Sequence, residues 1–149
     1  MGKQRYIDPE LVNTHLDVLQ ADHPPLQDPR FRTIIQRFFY SPRIPHDKGD
    51  ALAIIESLVA SDVRRFWGKD GKTNYGHSRI DQLERIIAMN DIDLFSTTKT
   101  EIWHSAFANN NPHSDHHWIV DAIYCEWNAR DKTEEYQRAY EETVAENRG

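Results

Sequence analysis

Four side chains between Thr98 and Trp127 have the types and spacing to hold a metal ion. Glu101 and His104 lie three residues apart, the Glu-x-x-His spacing by which helical bundles bind metals. His117 and Asp121 lie four apart, so on a helix they project from one face, one turn apart. If the polar corner Asn109-Asn110-Asn111-Pro112 folds the two segments side by side, Glu101, His104, His117 and Asp121 converge. His113 and His116 then lie at the rim. Imidazole nitrogens with carboxylate oxygens suit a divalent transition metal such as zinc. A metal-bound water would be the nucleophile of a hydrolase, with His113 or His116 as general base.

The same residues have a plainer reading. A di-metal carboxylate bundle needs two Glu-x-x-His motifs and two further glutamates, and this stretch supplies one such motif. With 24 acidic residues and 8 histidines in the chain, single spacings of this kind arise by chance. A helical corner with solvated histidines needs no metal. Cys125, the single cysteine, sits on the apolar side of its helix beside Trp127 and reads as core.

Helices must position these residues, and their boundaries are written in local signals. Thr98 and Glu101 have capping-box spacing, which predicts a helix from Thr98 to about Ala108. Ser114 or Asp115 can cap a second helix carrying Trp118, Ile119, Ala122, Ile123 and Trp127. Upstream, Asp8-Pro9 and Asp28-Pro29 are two further helix starts, because proline suits the first helical position. Leu11, Val12, Leu16 and Leu19 mark the first apolar stripe, and His23-Pro24 closes that helix. Phe31, Ile34, Ile35, Phe38 and Phe39 mark the second at helical period. Arg30, Arg32, Arg37 and Arg43 are interleaved with these aromatics, a mixture that can serve nucleic acid, but the aromatic period is that of a core.

Ser41 to Pro45 reads as an extended connector. A third helix is predicted from about Lys48 to Phe66, with Leu52, Ile55, Leu58, Val59, Val63 and Phe66 inward and Gly68 ending it in a left-handed conformation. Ser78 with Asp81 marks another start, and Ile80, Leu83, Ile86 and Ile87 its stripe, with Asn90 as its end. Asp91 to Phe95 reads as a short turn. In the tail, Asp131 or Thr133 is expected to cap a helix whose narrow stripe is Tyr136, Ala139, Tyr140 and Val144.

Between the third and fourth helices lies a long loop, 68–77. Gly68-Lys69-Asp70-Gly71-Lys72-Thr73 looks like a phosphate-binding loop, but two residues separate its glycines instead of four, and no strand precedes it. It reads instead as a basic surface loop for partner contacts, with Lys69, Lys72, Tyr75 and His77 as the candidate residues.

Charge is unevenly spread. Residues 91–149 hold 12 acids and 5 bases, whereas residues 1–90 hold 12 acids and 13 bases. The overall charge of −6 argues against nonspecific nucleic-acid binding. No apolar run approaches the roughly 20 residues of a membrane span. The first residues, MGKQRYIDPELV, lack the apolar core of a signal peptide, and one cysteine makes no internal disulfide, so a cytoplasmic setting is expected.

The expected fold is all-α: one compact domain over 1–149, an irregular bundle of six to eight helices. Residues 1–7 would be a loose arm and 131–149 an acidic C-terminal helix. With no catalytic signature, the expected function is non-enzymatic. It is that of a regulator or inhibitor that binds a partner protein, of the kind a phage or other mobile element encodes. No cofactor is expected, and the chain would be a monomer or homodimer. The alternative is the metal-dependent hydrolase with its site at the 101–121 corner.

Overall fold

A computed structural model describes residues 9–39, 51–108 and 111–148. The described residues form seven α-helices and no strands. The 1–7 arm, Asp8, the connector with Arg43, the predicted start at Lys48, and Asn109 and Asn110 lie outside the described residues. So do the side chains of Leu11, Phe39 and Leu52.

Helix α1 (Pro9–Leu19) buries Val12, Leu16 and Leu19, the stripe that its spacing predicts. A 3-10 turn over Pro24–Gln27 follows and buries Leu26. Helix α2 (Pro29–Phe39) starts where the Asp28 carboxylate accepts the Arg30 N–H at 2.9 Å, and it buries Phe31, Ile34, Ile35 and Phe38.

Helix α3 (Ala51–Asp62) buries Ile55 and Val59 and widens into a π-helical turn over Val63–Trp67. That turn keeps Phe66 in the core and sets Trp67 edge-on to Phe31, with ring centroids 5.1 Å apart. Gly68 then stops the helix at φ +72° and ψ −148°. The positive φ was foreseen, but the ψ lies outside the left-handed helical well, in a region open in practice to glycine alone.

Helix α4 (Arg79–Ala88) begins as expected, with the Ser78 hydroxyl accepting the Asp81 N–H. Helix α5 (Asp91–Ala106) does not begin at Thr98. Asn90 is its N-cap and accepts the Asp93 N–H at 2.8 Å, so Asp91 to Phe95 is helix rather than turn. Thr98 is fully buried in mid-helix. Its hydroxyl donates to the Leu94 carbonyl at 2.6 Å and accepts the Trp127 indole N–H at 3.0 Å.

Helix α6 (Asp115–Ala129) is the hub: it packs on α2, α4, α5 and α7. Eight of its residues are buried, among them Trp127, whose complete burial contributes about 1.5–3 kcal/mol. Helix α7 (Thr133–Glu146) lies along α5 and α6. Neither Asp131 nor Thr133 caps it; Lys132 holds the N-cap position without a side-chain bond, and Asp131 turns the chain at φ +58°. Its buried residues are Ala139 and Thr143, while Tyr140 is 44% exposed.

One buried carboxylate ties these helices together. Glu126 on α6 is fully buried and takes a two-pronged bond from Arg37 of α2, Nε to Oε1 and Nη2 to Oε2, both at 2.7 Å. Arg130 Nε adds a third bond at 2.7 Å, and its Nη atoms reach Asp91 and the Met89 carbonyl at the α4–α5 junction. The hydrogen bond with Glu126 raises the Arg37 pKa above its ordinary value against the opposing pull of burial. Arg37 is thus committed to the fold. Arg30 is likewise paired with Asp28, Asp81 and Glu84, and Arg32 with Asp17.

Candidate functional site

The N-terminus of α6 and the loop before α4 meet and border two open clefts. Ser114 is the α6 N-cap, its hydroxyl accepting the His116 N–H at 3.3 Å. Asp115 follows at the first helical position, and its carboxylate faces the loop. It accepts the Asn74 backbone N–H at 2.9 Å and the Trp118 indole N–H at 2.9 Å. The Asn74 side-chain amide also donates to the His113 carbonyl at 2.8 Å. Loop and helix start are therefore latched by two bonds, both donated by Asn74.

The loop is also tied within itself. Thr73 N–H donates to the His77 carbonyl at 2.7 Å and Gly76 N–H to the Thr73 carbonyl at 2.9 Å. The Thr73 hydroxyl accepts the N–H groups of Tyr75 and His77 at 3.2 and 3.1 Å. At its base Arg79 donates to the carbonyls of Lys72 (2.8 Å) and Arg65 (3.3 Å), and its guanidinium lies 4.7 Å over the Trp118 ring. Burial lowers the Arg79 pKa, opposed by the Asp115 and Asp70 carboxylates. Gly71 at φ +74° lies so close to the Trp67 ring that a Cβ would sit 2.9 Å from it. From this fixed base the four residues expected to contact a partner, Lys69, Lys72, Tyr75 and His77, all point outward, Tyr75 at 86% exposure.

The larger cleft, about 620 Å³, runs between this loop, the start of α4 and the facing walls of α5 and α6. Tyr75 and His77 of the loop, Asp81 and Arg85 of α4, Glu101 of α5 and His116 of α6 line it. His116 Nδ1 lies 2.7 Å from Glu101 Oε1. With the carboxylate taking that N–H, the Nε2 atom is the nitrogen left to accept a proton or a ligand. The His104 ring stacks on His116 at 4.3 Å and 9°, and Trp103 stands edge-on to His104. Carboxylate, oriented imidazole and flanking imidazole thus form one group.

The four proposed metal ligands are divided between two places. Glu101 and His104 are joined by His116, a residue that the spacing had put at the rim. His117 faces the other way, with Nε2 2.9 Å from the Asn111 carbonyl, and Asp121 is 3.6 Å from Arg65. Both line the second, shallower cleft of about 350 Å³. Among the described residues no three His, Cys, Asp or Glu side chains are grouped as ligands of a metal. His113 serves through its backbone, and Cys125 is buried.

Spacing alone did not single out Asn74, Asp115 and Arg79, which hold the loop. Asp115 directly follows a helix cap and is the one signal available, since a carboxylate there commonly answers backbone N–H groups. No helix among the described residues is long and apolar enough to cross a membrane. No family model matches the chain, and no curated protein or solved structure shows significant similarity to it.

Proposed function

We propose that this chain acts by binding a partner protein, as a regulator or inhibitor, through the 68–77 loop and the rim of the larger cleft. The observation that carries this reading is the contrast between the loop's backbone and its apex. Bonds within the loop and to α6 fix the backbone, while Tyr75 is held 86% exposed. Fixing a loop in advance lowers the ordering cost of association, and an exposed tyrosine is an apt anchor for a complementary pocket.

The test uses immobilised full-length protein, with Tyr75→Ala compared against Val18→Ala, a change at an exposed residue of α1. Proteins retained by the parent and by Val18→Ala should be lost from Tyr75→Ala. Removal of so exposed a side chain should shift stability by no more than about 0.5 kcal/mol, so the loss would not reflect unfolding. The same proteins retained by all three would sink the reading.

A further inference from the structure

We infer that the partner offers an acidic segment, and that its carboxylates seat in the second cleft, around Arg64 and Arg65. This rests on the reading of the loop as a partner-binding element and names the chemistry of what it binds.

The chain carries a net charge of −6, yet residues 64–79 hold five bases, Arg64, Arg65, Lys69, Lys72 and Arg79, against the single acid Asp70. Arg64 and Arg65 follow one another in the π-helical turn Val63–Trp67, and both are exposed and line the shallow cleft. Arg79, His113 and His117 line it as well, and Asp121 is the one carboxylate in its wall. Asp121 approaches Arg65 only to 3.6 Å. Asp115, close by, is already occupied by Asn74 and Trp118.

By contrast Arg138 has Glu135 and Glu142, Lys99 has Glu142 and Glu146, and Lys132 has Asp91 as close acidic partners. Arg64 has no ion pair among the described residues. A guanidinium is a planar fork matched to a carboxylate, and Arg64, with Arg65 next to it in the chain, suits the several carboxylates of an acidic segment better than a lone ion. The cleft is open, so it admits side chains from an opposing surface. Asn74 lines both clefts, which places this charge beside the Tyr75 loop. The remaining acidic surface would turn an acidic partner away and so steer it to this face.

The experiment is an amide NMR titration of the full chain at low salt with a hexaglutamate peptide, a hexalysine peptide and inorganic phosphate. The hexaglutamate peptide should perturb residues 64–79 and 112–118. The double variant Arg64→Gln/Arg65→Gln, which alters exposed side chains only, should bind it about tenfold more weakly. No perturbation there, an unchanged affinity in the double variant, or phosphate binding without peptide binding would each overturn the inference.

In the retention experiment, proteins released by both Tyr75→Ala and Arg64→Gln/Arg65→Gln support it. Release by Tyr75→Ala alone overturns the acidic segment and leaves the loop reading standing. If hexaglutamate binds at the cleft while Tyr75→Ala releases nothing, the cleft chemistry is supported and the loop reading alone fails.

Discussion

Glu126 and Glu101 each bond basic side chains, arginines for the first and an imidazole for the second, and they differ in what surrounds them. Glu126 is sealed from solvent and takes three N–H bonds from two arginines, each at 2.7 Å. Glu101 stands in the wall of a cleft, its side chain 14% exposed, with one imidazole as its partner at 2.7 Å. A saturated carboxylate has no capacity left for a ligand and serves the fold. One with a single partner beside open space can still exchange that partner. The number of donors and the access of water separate the two, and residue type does not.

Removing each carboxylate should bring that difference out. Glu126→Ala leaves Arg37 and Arg130 without their shared acceptor, and truncating one member of a buried ionic group costs about 3 kcal/mol or more. Arg37 is 40% exposed and Arg130 keeps Asp91 and two carbonyls, so the low end of that range is expected. Urea unfolding monitored by circular dichroism measures it, and an unchanged midpoint would erase the contrast.

Glu101→Gln should cost less, about 1 kcal/mol, because His116 can turn its Nδ1–H to water. The His116 ring resonances should move while those of residues near Glu126 stay in place. A loss as large as that of Glu126→Ala would make Glu101 a structural carboxylate too.

The smallest effect concerns Asp91, the exposed outer end of the Glu126 network. Hydrogen bonds from Lys132 and then Arg130 lower its pKa below the ordinary value. A depressed folded-state pKa means that its stabilisation is present above the unfolded-state value and is lost as pH falls through the folded one. Stability of the parent should therefore decline on acidification below about pH 4 more steeply than that of Asp91→Asn. Parallel curves would show that Asp91 is decoupled from Arg130 and Lys132.

Much of the helical framework was legible in the chain, and the misreadings have physical causes. Ser78 with Asp81 and Thr98 with Glu101 present the same spacing, yet only the first is a cap. Inside a helix a threonine hydroxyl can bond back to the carbonyl four residues earlier, as Thr98 does to Leu94, so the pattern fits a helix interior as well as a start. The true start was Asn90 with Asp93, obscured because Asn90 directly follows the end of α4 and suits either role. The tail stripe missed Thr143, which is buried because its hydroxyl is satisfied by the Ala139 carbonyl.

The candidate site was less legible. The loop was recognisable from its glycines and charge, and the 101–121 corner from its histidines. The sequence by itself determined an all-helical chain, because apolar period, proline and glycine stops, and most caps are local properties of the backbone and its neighbours. Only the tertiary structure decided that Glu101 meets His116 and that Asp121 meets Arg65. Consecutive residues on a helix point about 100° apart, so His116 and His117 face different neighbours, and which one meets α5 depends on how α6 is rotated in the bundle. Burying Trp118, Ile119, Ala122, Ile123 and Trp127 against the surrounding helices set that rotation, and the polar site followed from it.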